Sequence, residues 1–436
     1  MTAASAALAS PAPQSSPADY TIDIAPCALE VAPRRSIKTT AYNGQVPGPL
    51  LRLREGRAVT IDVTNQTANN EVVHWHGLFL PSAVDGATEE GTPPITAGGR
   101  ARYTFTPRPA GFRWYHTHTF AGTDLHKGQY TGQHGFLLIE PRENPARYDQ
   151  EIFLALQDWA SDLLPSADGS MDPSYDVSTI NGRVLGFGEP LRVKPGAQVL
   201  LQILNASPTE VHWLALAGHQ FQVIALDGNP VAQPQLVPML RLAPAERVSA
   251  LVEMNHPGVW VMGDVRKHVM AAGMGIVVEY AGSSGEPRWE QPNELVWDYV
   301  RFAASGAAPP QPDAVTIPLI FASKFAGHGA MDRWTINGKS YPDTENPVLT
   351  TGRRYRLLFL NHSSNDHPVH LHRHTFELRA LPDHPDIHGI FKDTVLVQAK
   401  TQMAVEFTAN DPGPTLFHCH QQNHMDAGFM MLIRYA

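Results

Sequence analysis

The 436-residue chain predicts an all-β protein of three consecutive sandwich domains, on three observations. Charged residues make up only 17% and hydrophobic residues 43%, and the 34 glycines and 37 prolines suit many short strands joined by tight turns. Runs such as Arg102-Tyr-Thr-Phe-Thr106 and Val248-Ser-Ala-Leu-Val-Glu253, bounded by Gly, Pro and Asn, carry strand signals. Finally, three segments recur in the same order three times, the copies starting about 140 to 155 residues apart, which makes the repeat the unit of architecture.

The first copy has an Asn43-Gly44 turn, a strand ending in Val63-Thr64-Asn65 that leads to His74, and a Pro109-Ala110-Gly111 turn opening a strand that reaches His116. The second has Asn181-Gly182, then Ile203-Leu204-Asn205 leading to His212, then Pro257-Gly258 leading to His268. The third has Asn337-Gly338, then Phe359-Leu360-Asn361 leading to His370, then Pro412-Gly413 leading to His418. Six to eight strands per copy fit a β-sandwich. Boundaries are expected at 20–145, 146–285 and 286–436, near the stretches 140–145 and 281–287. Helix is confined to a turn or two in 293–303, and the Pro-rich 306–312 reads as a stiff, exposed connection. Residues 1–19 are Ala/Ser/Pro-rich without a charged start or strong apolar stretch, so they read as a disordered leader or the remnant of a removed signal. The expected location is periplasmic or secreted, with the export signal trimmed or absent.

A formal net charge of -9 and a pI near 6.1 favour neither nucleic acid nor an anionic membrane as partner. No apolar run is long enough for a membrane span. Small molecules are the expected partners, to a monomer or loose homo-oligomer. Of the two cysteines, Cys27 has no disulfide partner if Cys419 binds metal.

The chemistry concentrates in Leu416 to Met430. In an extended strand His418 and His420 share one face and Cys419 takes the other, so one strand can touch two metal sites. A Cys with two His is the donor set of an electron-transfer copper site, here His367, Cys419 and His424; the ordinary alternative is zinc. Four His-x-His pairs, 74/76, 116/118, 370/372 and 418/420, place eight imidazoles at the junction of the first and third copies. One pair can arise by accident on a solvated strand. Four in equivalent places suit three copper ions, shared as three, three and two, whereas the second copy keeps only His212 and His268 there.

His-Trp-His-Gly at 74–77, Tyr-His-Thr-His at 115–118, His-Pro-Val-His-Leu-His at 367–372 and His-Cys-His-Gln-Gln-Asn-His at 418–424 together resemble the three-domain multicopper oxidases of the bacterial laccase type, over nearly the whole chain after about residue 20. The resemblance implies cupredoxin-like Greek-key sandwiches and four copper ions, one type 1, one type 2 and two type 3. It assigns His74 and His370 to type 2 copper; His76, His116 and His420 to one type 3 copper; His118, His372 and His418 to the other; and His367, Cys419 and His424 to type 1. Phe429 stands at the axial position where Met or Leu is commoner, which should raise the reduction potential. Met430 reaches the copper only if the strand bulges. Asp85 matches an acidic position used for proton delivery, against the ordinary explanation of an Asp-Gly turn. The acid that some bacterial relatives carry after the last type 1 histidine is here Met425, followed by Asp426.

The implied activity couples four one-electron oxidations of phenolic or aromatic amine substrates to reduction of O2 to two waters. The alternative is a metallo-oxidase of cuprous or ferrous ions. A non-enzymatic copper carrier and a nitrite reductase are the competing classes, and neither accounts for four histidine pairs. His374 is expected to be supporting or exposed, His384 and His388 to rim a substrate cleft, and Met262, Met270 and Met274 to pack in the core.

Overall fold

The computed structural model describes residues 17–142, 147–166, 170–306, 308 and 313–436. Most of the expected leader, the second half of the first boundary stretch and most of the 306–312 connection lie outside them. The structure is three cupredoxin-like β-sandwiches. The first is built from two four-stranded sheets. One contains Tyr20–Ala32, Arg35–Tyr42, Val59–Asn65 and Arg100–Phe105; the other contains Gly48–Arg54, Val73–His74, Gly111–Thr117 and His134–Glu140. The second and third sandwiches each pair a six-stranded with a five-stranded sheet. Among the described residues helix is limited to short pieces, including a 3-10 turn at Tyr299–Phe302, and no helix is long and apolar enough to cross a membrane.

The repeated sequence signals have physical causes. Asn43, Asn181 and Asn337 adopt φ of 53°, 51° and 52°, the left-handed region in which Asn is tolerated and the following Gly is at ease. Each Asn side chain accepts a backbone N–H from a strand earlier in its own domain: Asp23, Ala155 and Ile320, at 2.7, 2.8 and 2.8 Å. The strand-ending Asn65, Asn205 and Asn361 are buried, and their amides donate to the carbonyls of Ile95, Leu242 and Gln398 at 2.9, 2.8 and 3.0 Å. These bonds tie the strand ends to the loops that carry the histidines.

Strands Val59–Asn65 and Arg354–Asn361 alternate buried and half-buried residues, the mark of one face on the core. Ile22, Ile61, Trp75, Tyr103 and Tyr115 belong to the first core. A continuous apolar core runs through the second and third domains by way of Tyr299 and Phe302. Phe112, Trp114, Phe136 and Leu138 seat the first domain on Ala155, Leu204, Ala206 and Ala245 of the second. Contact with the third joins a small apolar cluster around Ala87 to polar bonds: Asp426 accepts the N–H groups of Ala121 and Gly122 at 2.9 and 2.7 Å, and Arg373 donates to the Leu80 carbonyl at 2.7 Å.

Candidate metal centres between the first and third domains

Strand Thr415–Cys419, strand His367–Leu371 and helix Gln422–Asp426 bring Cys419, His367 and His424 together. The Cys419 sulfur lies 3.7 Å from His367 Nδ1 and 3.6 Å from His424 Nδ1, and those nitrogens are 3.1 Å apart. The Ser363 hydroxyl, which donates to Asn361, accepts the His367 Nε2–H at 2.8 Å and so turns the Nδ1 lone pair inward. Trp334 covers His424 with ring centres 4.0 Å apart, and Phe429 packs 4.7 Å from His367. Phe429 offers no donor, and Met430 packs with Ala87, Leu416 and Met425 instead. Burial pushes the His424 pKa down to about 3 and the Cys419 thiol up. Neutral groups with converging lone pairs are the arrangement a cation relieves, and the thiol with two imidazoles suits copper.

On the other face of the same strand, His418 Nε2 lies 3.1 Å from His372 Nε2 and 3.4 Å from His118 Nε2. His74, His76 and His116 form a second group, and His74, His370 and His372 a third, with one nitrogen of each within 4.8 Å of the others. The Nδ1–H groups of His74, His116, His370 and His418 donate to the carbonyls of Asp85, Thr117, Asp393 and Cys419 at 2.9, 2.7, 2.7 and 2.8 Å. Because a carbonyl only accepts, these rings keep an Nε2 lone pair facing the nest. Nε2 of His74, His116 and His370 is buried with no protein partner, and both nitrogens of the buried His420 are unpartnered. Burial lowers the His118 and His370 pKa values to about 3, so the imidazoles are neutral ligands rather than cations. Orphaned donor atoms at this density fit bound metal ions.

Asp85 lies at the edge of the nest, where its Oδ2 accepts the His372 Nδ1–H at 2.9 Å. Beside it is Glu90, which the sequence reading missed although it follows Asp85 by five residues. Glu90 is buried, hydrogen-bonded to Asp85, and accepts the Leu416 N–H at 2.5 Å. Burial, then the Asp85 charge, pushes its pKa well up, so Glu90 holds a proton next to His372. Asp426 is a different case: its hydrogen bonds clamp the 121–122 loop, and burial raises its pKa to about 6. His374 is buried between the His372 carbonyl and the Tyr435 hydroxyl. His384 lines a cavity with Arg241, Trp297 and Met403, apart from the one lined by Trp334 and Asn423. Met262 and Met274 lie in the core, while Met270 is half-buried.

The strand register corrects the equivalence expected for the second domain. Its strands His212–Leu216 and Val259–Asp264, helix Lys267–Ala271 and strand Gly275–Tyr280 each end 155 residues before a counterpart in the third, at 216 against 371, 264 against 419, 271 against 426 and 280 against 435. His212 therefore matches His367, not His370, and Asp264 matches Cys419. Ala215, Ala217, Gly263 and Val265 stand where the third domain has His370, His372, His418 and His420, and His268 falls on the helix opposite Asn423. The order of motifs alone did not separate the two positions, because His212 follows Asn205 by seven residues while His367 and His370 follow Asn361 by six and nine.

His212 Nε2–H and Nδ1–H donate to Asp158 at 2.7 Å and Asp264 at 3.1 Å, leaving no lone pair for a metal. Burial opposes the imidazolium charge, but Asp158 and the hydrogen bonds to both carboxylates outweigh it and hold the pKa at about 9. The folded value exceeds the ordinary one, so this stabilisation is complete below about pH 6.5 and is lost as pH rises through about 9. His212→Gln is expected to cost about 3–5 kcal/mol at neutral pH by leaving buried carboxylates unpaired. Denaturant unfolding at about pH 6 and about pH 9.5 checks it: the stability of the variant should change far less between them than that of the wild type.

Three sandwiches with buried thiol and imidazole donors shared between the outer two define a copper-binding class of protein. Comparison with known proteins agrees: models of the multicopper oxidase family match residues 28–144, 150–277 and 320–436. The chain belongs to the multicopper oxidases, copper-dependent oxidoreductases that act with O2. It is 29% identical to Multicopper oxidase MmcO of Mycobacterium tuberculosis (strain ATCC 25618 / H37Rv), covering 92% of this chain and 83% of that protein. It is 27% identical to Laccase-4 of Thanatephorus cucumeris, over 87% and 82% of the two chains. A solved multi-copper oxidase from Pseudomonas thermotolerans superposes with a TM-score of 0.76 at 26% identity, covering 96% of this chain and 98% of that one.

Proposed function

We propose that this chain is a laccase-like oxidase that takes single electrons from phenols or aromatic amines beside His424 and delivers four to one dioxygen, released as two waters, at the histidine nest. In this reading the outer domains, 20–145 and 286–436, supply all ligands. His367, Cys419 and His424 hold type 1 copper; His74 and His370 hold type 2; His76, His116 and His420, and His118, His372 and His418, hold the type 3 pair. Bound there, about four copper ions supply the one-electron carriers and the oxygen-binding centre.

The observation that carries the reading is the linkage between the two sites. Cys419 faces one and His418 the other, joined by a peptide bond and by the 2.8 Å hydrogen bond from His418 Nδ1–H to the Cys419 carbonyl. The chain's other contribution is to protons: Glu90 holds one beside Asp85 and His372, where oxygen reduction consumes it.

A cavity of about 390 Å³ lies over Trp334 and Asn423, next to His424, large enough for a single aromatic ring. Asp172, which accepts from Asn423 Nδ2 at 3.3 Å, offers an acceptor for a phenol or amine proton. The same cavity is lined by Met171, Met331, Asp172 and Asp332. Thioethers and carboxylates are donors for cuprous and ferrous ions, which is what favours metallo-oxidase as the second reading; a relative at 25% identity is named Iron transport multicopper oxidase FET3, of Candida albicans.

Oxygen uptake with a substituted phenol, and with cuprous and ferrous ions, corrected for uncatalysed oxidation, tests the choice on copper-loaded enzyme. Phenol turnover is expected. Turnover of metal ions alone replaces the first reading with the second, and no turnover from protein holding at most one copper per chain ends both.

A further inference from the structure

The second domain places Ala215, Ala217, Gly263 and Val265 where its neighbour has cluster histidines, yet it reaches toward the nest with the fully buried side chain of Arg247. Its guanidinium donates to both oxygens of Asp393 in the third domain, Nη1 to Oδ1 at 2.7 Å and Nη2 to Oδ2 at 2.6 Å. Arg247 is in turn fixed within its own domain, where it donates to the carbonyls of Ala245 at 3.0 Å and Asp227 at 3.2 Å. Arg113 of the first domain approaches Asp393 Oδ2 at 3.4 Å.

Asp393 contacts histidines from two domains. Its Oδ1 lies 3.1 Å from His76 Nε2, and its backbone carbonyl accepts the His370 Nδ1–H at 2.7 Å. The two rings stack with centres 3.7 Å apart. A carboxylate held by a guanidinium only accepts, so the His76 proton sits on Nε2 and the lone pair on Nδ1, which is buried and unpartnered. His76 thus presents the opposite nitrogen from His74, His116, His370 and His418. The approach is close: a Cβ on Gly77 would fall 2.6 Å from Asp393 Oδ2 and 2.9 Å from Arg247 Nη2, at a φ of 82°.

We propose that Arg247 is a positioning residue for the oxygen-reducing centre, fixing through Asp393 which nitrogen of His76 faces the metal and how His76 stacks on His370. The middle domain then acts on the cluster without a ligand of its own. A bidentate fork is needed because a single point charge leaves the carboxylate free to rotate. The inference rests on the assignment of His76 and His370 as copper ligands.

The test compares copper-loaded wild type, Arg247→Lys and Arg247→Met. The readouts are the thiolate–copper band, the coupled-pair shoulder and the type 2 electron paramagnetic resonance signal during competition with a copper chelator. In both variants the thiolate band should persist, because His367, Cys419 and His424 do not touch this network. The chelator concentration that bleaches the shoulder should fall about 10- to 100-fold in Arg247→Met and less in Arg247→Lys. Nitrogen-15 spectra of histidine-labelled protein without copper should show His76 protonated at Nε2 in wild type and mixed tautomers in Arg247→Met. Unchanged bleaching and an unchanged tautomer in both variants overturn the proposal. So does joint loss of thiolate band and shoulder in both, since that marks a structural role. A wild type that lacks the shoulder while showing the thiolate band overturns the ligand assignment instead.

Discussion

Cys419→Ser is expected to abolish the thiolate–copper band and to lower phenol oxidation by at least about 10³-fold, equivalent to about 4 kcal/mol of lost transition-state stabilisation. The sulfur is the soft donor that lies against His367 and His424, at 3.7 and 3.6 Å. A serine hydroxyl is a hard, protonated donor at neutral pH, and two imidazoles alone do not make an electron-transfer copper site. Serine is nearly the same size, and the strand pairing of His370 with His418 is made by backbone, so the histidine nest should survive. Copper analysis should fall from about four to about three per chain, with the type 2 resonance intact. A variant that oxidises phenol at the wild-type rate would sink the proposed route of electrons.

The second large effect is expected at Asp85. Asp85→Asn should lower turnover by about 10²- to 10⁴-fold by removing a positioned proton source. Asparagine can still accept the His372 Nδ1–H with its amide oxygen, so the nest keeps its geometry while the carboxyl that can pass on a proton is lost. Glu90→Gln should act in the same direction but less, because glutamine can donate a hydrogen bond to Asp85 without releasing a proton. Stopped-flow absorbance separates the steps: bleaching of the thiolate band by substrate without oxygen should keep its wild-type rate, while reoxidation by oxygen slows. Equal slowing of both phases, or no slowing of reoxidation, would count against the proton role.

The readability of the chain follows from what is local in it. Strand alternation alone separates Cys419 from His418 and His420, because successive side chains point to opposite faces whatever surrounds them. Asn43-Gly44 and its two copies are turns because left-handed backbone is cheap for Asn and Gly. The error at His212 was also local. The segments were matched by their order, an Asn-ending strand and then a histidine, yet His212 follows Asn205 by seven residues where His370 follows Asn361 by nine, and the strand ends put it in the place of His367. Glu90 went unnoticed because a Glu-Glu pair in a polar loop carries no sign of burial.

By itself the sequence determined the donor types, their pairing along strands and the threefold repeat, since these depend on composition and on backbone period. Only the tertiary structure decided which ring nitrogen faces inward, which carboxyl groups lie beside His372, and that Arg247 reaches the nest through Asp393. Each of those depends on side chains from distant segments, as with His76 and Asp393, 317 positions apart. Their contacts exist only after the three sandwiches have been packed together, and burial then makes every unpaired charge or proton in the interface costly enough to fix its partner.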